Sequence, residues 1–354
     1  MAVTLADVAR RAGVSLATAS RVLNGSTRIV SDQMRDRVVA AARELHYVPN
    51  AHAQALVRAS TSTVGVIVHD VGDPYFAEII RGIQRSAAEA GRLMIVCNSY
   101  RDPQRELDYV RLLQMQRVEA IILAGSGLDD RAYSRELSEQ LDSFAAMGGR
   151  VAVIGRHNIT ADAVVPDNAG GARALARLLL DHGHRRFGVI DGPPLLTTSR
   201  DRRDAFVQTL VEAGIRVPPG AIEPGDFTRD GGAHAALELL RRDPAITAIF
   251  ALNDVMAIGA LAGLRSHGVA VPGQVSLAGF DDIPIAADVT PALTTVHVPM
   301  EQLGAQALLL ALAHEDALRV IHVATEMVLR DSVGPPPGSG SIVIGPGTES
   351  QRIQ

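Results

Sequence analysis

The chain has one cysteine, no tryptophan and no lysine, and aromatic residues make up only 3% of its 354 positions. The lone thiol, Cys97, excludes an internal disulfide and a thiolate metal cage. All 34 basic residues are arginine, which reads as coding bias more than function. No apolar run approaches the roughly 18 to 20 residues needed to span a bilayer. The N-terminus, MAVTLADVARR, lacks the basic-then-apolar design of a signal peptide. These absences predict a soluble, cytoplasmic protein with no membrane partner. Hydrophobic residues at 47% against 21% charged exclude the profile of a disordered chain. At roughly 100 to 200 residues per domain, the length predicts two or three domains.

Catalytic signatures are missing too. HEDAL at His314 falls one residue short of the H-E-x-x-H zinc helix, because position 318 is leucine. GPGTES at Gly345 fails the dinucleotide fingerprint and has no strand before it. With no nucleophile elbow, P-loop or Cys/His cluster, the sequence predicts neither an enzyme nor a cofactor or metal site.

What is present is unevenly distributed. Residues 1–58 hold eight arginines against Asp7, Asp32, Asp36 and Glu44, a net +4, so the remaining chain must carry −9 to reach the total of −5. A basic head on an acidic body suggests that the head meets a polyanion. The head reads as three short helices. Thr4-x-x-Asp7 opens the first, which ends at Gly13; Ser15 opens the second; and Val38, Val39, Ala42 and Leu45 line a third from Ser31. This is a helix-turn-helix layout. A ten-residue segment, AHAQALVRAS, follows with Leu56 as its one large apolar residue before Val57.

From Thr63 the pattern becomes alternating apolar runs and helical stretches. The runs are VGVIV, LMIVC, EAIIL and VAVI in a first half, then FGVI, ITAIFAL and VSLAGF in a second. Such alternation predicts parallel, doubly covered sheets in two lobes with a cleft between them, the ligand lying beyond the carboxyl ends of the strands. From Gly334 the Pro/Gly/Ser-rich end is expected to be a disordered tail.

Taken in order, TLADVARRAGVSLATASRVLNG, IVSDQMRDRVVAAARELHYVPN, VGVIVHDVGDPYFAEIIRGI, CNSYRDPQRELDY, HGHRRFGVIDGP, FALNDVMAIGAL and VSLAGFDDIP resemble the lactose-repressor (LacI/GalR) family of bacterial transcriptional regulators over about residues 3 to 331. The resemblance implies an all-α helix-turn-helix head plus an α/β body with a two-lobed, periplasmic-binding-protein-like fold. It implies a head at 1–48, a hinge at 49–60, a first lobe of 61–162 plus 292–321, and a second of 163–291 plus 322–333. It also implies a homodimer on a pseudo-palindromic operator of double-stranded DNA, most simply a repressor, controlled by a small effector between the lobes.

By the same resemblance, Leu16, Ala17 and Arg21 fall at base-reading positions, while Ser15, Thr18, Ser20 and Asn24 fall at phosphate-contacting ones. Thr4 joins this DNA-binding set, and Leu56 matches a leucine that wedges into the minor groove. Gln54 stands where arginine is common. Arg202, Asp281 and Asn253 match polar effector contacts, and Tyr75, Phe76 and Phe227 match ring-stacking positions. This set suits a sugar or sugar derivative first and a purine second. His69 replaces a frequent proline, and Gly155-Arg156 a common Asp-Arg pair. Plainer roles stay open: Leu16 packed on the turn, Arg21 solvated, Phe76 in the core, Asp281 or Asn253 capping the next helix. A periplasmic-type sugar-binding protein is the competing function, though it would need a signal peptide and no helix-turn-helix.

Overall fold

The computed structural model describes residues 3–23, 30–48, 61–313, 315 and 317–338. The expectations for Asn24, Leu56, His314 and the chain beyond 338 lie outside the described residues.

The head is α1 (Leu5–Ala12), α2 (Leu16–Leu23) and α3 (Asp32–Glu44). Thr4 and Asp7 form a reciprocal capping box that satisfies the first orphan donors of α1. Gly13 closes that helix with φ 62°, a left-handed conformation that costs glycine nothing. Arg37 on α3 donates to the carbonyls of Ala12 and Gly13, so the third helix clamps the turn that sets the angle between the first two. Val8, Ala9, Ala12, Ala19, Val38, Ala41 and Ala42 form a small core of mostly alanines.

The first lobe runs β1 (Thr63–Val68), α4 (Pro74–Glu89), β2 (Leu93–Asn98), α5 (Pro103–Met115), β3 (Ala120–Ala124), α6 (Arg131–Ala146), β4 (Arg150–Ile154) and β5 (Asp162–Pro166). The second runs α7 (Asn168–Asp181), β6 (Phe187–Ile190), α8 (Thr197–Glu212), β7 (Ile222–Glu223), α9 (Arg229–Arg242), β8 (Ala248–Ala251), α10 (Asp254–Ser266) and β9 (Ser276–Ala278). Then come β10 (Thr295–His297), α11 (Met300–Leu312), β11 (Val320–Val323) and β12 (Glu326–Val328). The first sheet has the order β11-β5-β4-β3-β1-β2 and the second β7-β6-β8-β9, every pair parallel. β3, β6 and β8 are buried along their whole length, as continuous apolar runs require. β2 departs from that rule: it is an edge strand, and its Leu93 is 75% exposed.

The antiparallel pair β10-β12 is the ribbon along which the chain passes between lobes. Three expected boundaries shift. The first crossing follows Pro166, not residue 162, because β5 still pairs with β4. The return leads through β10 into α11, later than 292, and the last crossing follows β11, which belongs wholly to the first sheet. The helices α7 and α11 and the short strands β5, β7, β10, β11 and β12 carried no distinct pattern in the sequence reading. Gly334, expected to open a loose tail, is held in place: its carbonyl accepts from the His184 ring at 2.9 Å and its N–H donates to the Ser276 hydroxyl at 3.0 Å.

Helix pairs in both lobes pack backbone against backbone. A Cβ on Gly82 would sit 2.0 Å from the Glu301 carbonyl oxygen, and one on Gly304 2.2 Å from that of Ile79. Gly82→Ala should therefore lower the stability of the body by about 1 to 3 kcal/mol through overpacking between α4 and α11. Gly214→Ala, with φ 79° and open space around it, should cost only about 1 to 2 kcal/mol of backbone strain. Urea unfolding of both variants checks the order; a parent-like midpoint for Gly82→Ala would refute the close approach.

Candidate functional site

Two surfaces carry the residues singled out above. In the head, the Ser15 hydroxyl accepts from the Thr18 N–H at 3.1 Å and shares a 2.8 Å hydrogen bond with the Thr18 hydroxyl, which caps α2. Ala19 turns inward, while Ala17 and Arg21 are exposed and Thr18 and Ser20 half-buried. Leu16 is 54% exposed, so it does not pack on the turn. An exposed apolar side chain at the start of the second helix, with an exposed arginine in its last turn, offers a major-groove reader both an apolar and a donor contact. Thr4 differs: its hydroxyl donates to Asp7 at 2.6 Å and is committed to the cap.

The second surface is a cleft of about 400 Å³ counted to its open mouth. Tyr75, Phe76, Arg202, Phe227, Asn253 and Asp281, the whole effector set of the sequence reading, line it. His69, Asp73, Arg101, Ser126, Leu196 and Thr198 complete the wall. The fold brings them together because the site residues lie in the loops or first two helical turns that follow β1, β2, β3, β6, β7, β8 and β9, where parallel sheets place ligands. Asp73 caps α4 by accepting from the Tyr75 N–H at 3.0 Å, and Pro74 pre-sets the first turn that carries Tyr75 and Phe76.

At the floor, Arg202 and Asp281 are 2% and 3% exposed and paired at 2.7 Å. The same guanidinium donates to the Asn168 side-chain oxygen at 2.8 Å and the Leu252 carbonyl at 2.7 Å, and lies 3.8 Å from the Phe280 ring centre. Burial pushes the Asp281 carboxyl up to about 7 against the opposing pull of Arg202. Asp281 is therefore a cleft carboxylate and not a helix cap. Asn253 is both: its oxygen caps α10 by accepting from the Met256 N–H at 2.9 Å, which leaves only its amide N–H groups for a ligand. Phe76 also has two roles, since it is buried in the core and stacks on His69 with centroids 5.6 Å apart and planes 5° from parallel. Across the cleft the Arg101 guanidinium lies 5.6 Å from the Phe227 ring centre, a cation–π contact.

The lobes also meet at the rim. Arg156 grips Asp201 through two hydrogen bonds of 3.0 and 2.6 Å, Arg200 pairs with Asp129, and the Thr197 N–H donates to the Gly127 carbonyl at 3.0 Å. Sequence reasoning singled out the unusual Arg156 without finding its partner. It missed Arg101, Asp73 and Thr198, which carry no motif beyond their position after a strand or at a helix start. Among the described residues no group of three or more His, Cys, Asp or Glu side chains is placed to hold a metal ion.

His69 is enclosed by Phe76 and Gly125, with Arg101 and His157 as charged or titratable neighbours. Burial holds its pKa down at about 3, so the folded protein keeps it neutral. The unfolded chain binds the proton near pH 6.5, so this contribution to stability is complete above that pH and lost as pH falls toward 3. By pH 5 the loss amounts to about 2 kcal/mol. His69→Phe, which keeps the stack, should remove that share of the acid-side slope in melts run between pH 7 and 5; an unchanged slope would mean His69 titrates normally.

Comparison with known proteins agrees with this geometry. Residues 4–50 match the model of bacterial regulatory proteins, lacI family, and residues 176–333 that of a periplasmic binding protein-like domain. The chain is 39% identical over 312 residues to the HTH-type transcriptional regulator GalS of Salmonella typhimurium, covering 88% of this chain and 89% of that protein. Among solved structures, the lac repressor dimer bound to operator and the anti-inducer ONPF superposes with TM-score 0.81 at 26% identity, over 94% of this chain and 99% of that one. The complex of the transcriptional regulator CelR with cellobiose gives TM-score 0.68 at 31% identity, over 94% and 100%.

Proposed function

The chain belongs to the lacI family of bacterial regulatory proteins, and on that premise we propose that it represses transcription as a homodimer on a pseudo-palindromic operator, under control of a neutral sugar in the interlobe cleft. Leu16, Ala17 and Arg21 read bases; Arg21 suits a bidentate contact to guanine and Leu16 and Ala17 a thymine methyl. Ser15, Thr18, Ser20 and Asn24 hold phosphates, and Leu56 opens the minor groove. Two heads are needed because one short helix buries too little surface, and two-fold symmetry lets the pair share a palindrome. The lac repressor dimer bound to operator supports this arrangement. A periplasmic sugar-binding role is not favoured, since the head has no part in it. Arg21→Ala should abolish preference for a selected operator over random duplex while the body melts as in the parent; equal affinities in a gel-shift series would refute the assignment.

The observation that carries the effector reading is the Arg202–Asp281 pair at the floor of a cleft walled by Tyr75, Phe76 and Phe227. Of five guanidinium N–H groups, three are engaged within the protein, which leaves two donors beside the second oxygen of Asp281. Hydroxyl groups need such donor–acceptor neighbours, and the rings offer a platform for an apolar C–H face. With both carboxylates ionised, Arg101 and Arg202 are matched by Asp73 and Asp281, which favours an uncharged ligand over a sugar phosphate on the alkaline side of the Asp281 titration. The cellobiose complex of CelR supports the same class.

The rings would also stack on a purine, so a thermal-shift screen should set cellobiose, galactose and ribose against hypoxanthine, guanine and sugar phosphates. A ligand at 100 times its Kd adds about 2.7 kcal/mol; stabilisation by a purine alone would overturn the sugar reading. Because Asp281 sits at about 7, sugar affinity should fall between pH 8 and 6 as the carboxylate protonates. Asp281→Asn should bind at least tenfold more weakly and lose that pH dependence. Calorimetry with unchanged affinity in the variant would remove Asp281 from the site.

A further inference from the structure

Asp282 is not in the cleft lining, yet it is joined to Asp281 by one peptide, and the two side chains diverge. Both residues hold positive φ, 116° and 59°, a costly state for a non-glycine residue that persists only where the surroundings enforce it. Asp281 faces Arg202. Asp282 instead accepts from Arg330 at 2.6 Å and from the His297 ring at 3.0 Å. These two partners belong to two of the three interlobe passages, the two that run through the β10-β12 ribbon. His297 ends β10, on the way to α11, while Arg330 follows β12, on the way back from β11. The passages are tied to the same turn by backbone: the Asp281 N–H donates to the Val296 carbonyl at 2.9 Å, and the Val298 N–H to the Asp281 carbonyl at 3.1 Å. Arg330 in turn donates to the Leu293 carbonyl at 2.8 Å.

We propose that Asp282 is the positioning residue that couples the cleft to the angle between the lobes, by gripping the two ribbon passages from the residue next to the effector carboxylate. The inference rests on the cleft being the effector site. A ligand that draws on Asp281 turns a peptide with little freedom of its own. The turn is passed to Asp282, and so to Arg330 and His297 on the ribbon about which the lobes rotate. The coupling is reciprocal, so operator binding at the head must act on the same joint.

The test uses the full-length protein with fluorescent labels at Glu139→Cys on α6 and Ala213→Cys after α8, both exposed positions on opposite lobes, in a Cys97→Ser background. An operator duplex selected from a random library is the probe. In the parent, duplex should change energy transfer between the lobes. Asp282→Asn removes the charge and tolerates left-handed backbone; it should bind duplex within threefold of the parent and retain less than a third of the transfer change. Asp282→Glu should recover most of it. A parent-sized change in Asp282→Asn, or a parent whose lobes do not respond to duplex, would overturn the proposal. If Asp282→Asn does not fold, Arg330→Gln takes its place, and a parent-sized response there refutes the joint. A parallel titration with cellobiose, galactose, ribose and hypoxanthine separates the two readings. Failure of every ligand counts against the effector site, whereas the duplex response judges Asp282 by itself.

Discussion

Four elements of the second lobe converge on the Arg202 guanidinium. α8 supplies the arginine, α7 the Asn168 oxygen, the end of β8 the Leu252 carbonyl, and the end of β9 both the Asp281 carboxylate and the Phe280 ring. Each buried ion costs several kcal/mol of lost hydration, and the mutual attraction offsets this only where the remaining donors are satisfied. Removing one partner of such a pair typically costs about 3 to 5 kcal/mol, because an uncompensated charge is left behind. The pair therefore fixes how the second lobe is assembled as well as what the cleft offers a ligand. A single interaction holding both structure and recognition explains why the cleft polarity is preformed.

Preformation is visible in the backbone as well. Among the described non-glycine residues with positive φ, Tyr100, Arg101, Phe227, Asp281 and Asp282 all lie at the cleft or beside it. Two of them, Arg101 and Phe227, meet across the lobes. Local strain of this kind is kept where surrounding structure over-determines it. Here the enforcing structure is the set of strand ends and helix caps that converge on the cleft: Asp73 caps α4, Asn253 caps α10, and Asp281 is bonded to the β10 backbone.

Much of this was legible in the sequence because the features are periodic or local. The helix-turn-helix rests on apolar spacing and on Gly13, whose left-handed turn only glycine adopts without cost. Apolar runs such as FGVI and VSLAGF mark the strand ends beyond which the cleft lies, whereas the six cleft residues themselves were named by the resemblance to the lactose-repressor family. What was not legible depends on partners distant in the chain. β10 and β12 have three residues each, too few to show a period of two, and their role comes from pairing with each other across thirty residues of sequence. β5 lies beyond the expected crossing because its register with β4 and β11 is a tertiary fact. Gly334 looks like the start of a loose end until the buried ring of His184 is seen to hold it. Asn253 illustrates a different limit: one oxygen serves the cap while the amide faces the cleft, so cap and ligand contact were never exclusive.

The head poses the opposite physical problem. Its fully buried residues are five alanines and two valines, and the larger Leu5, Val14, Val22, Leu23, Leu45 and Tyr47 are only partly buried against them, so each contributes less than a fully buried side chain would. The head nevertheless leaves Leu16 more than half exposed and relies on polar devices, the Thr4–Asp7 box and the Arg37 clamp on the turn, to keep its helices in place. The body differs: the buried Arg202 and Asp281 of its cleft are paired with each other, and contacts between its own lobes tie the rim. The two ends of the chain thus meet opposite demands, a head whose fully buried residues are small and whose polar caps hold its helices, and a cleft whose polar floor is set by one buried ion pair.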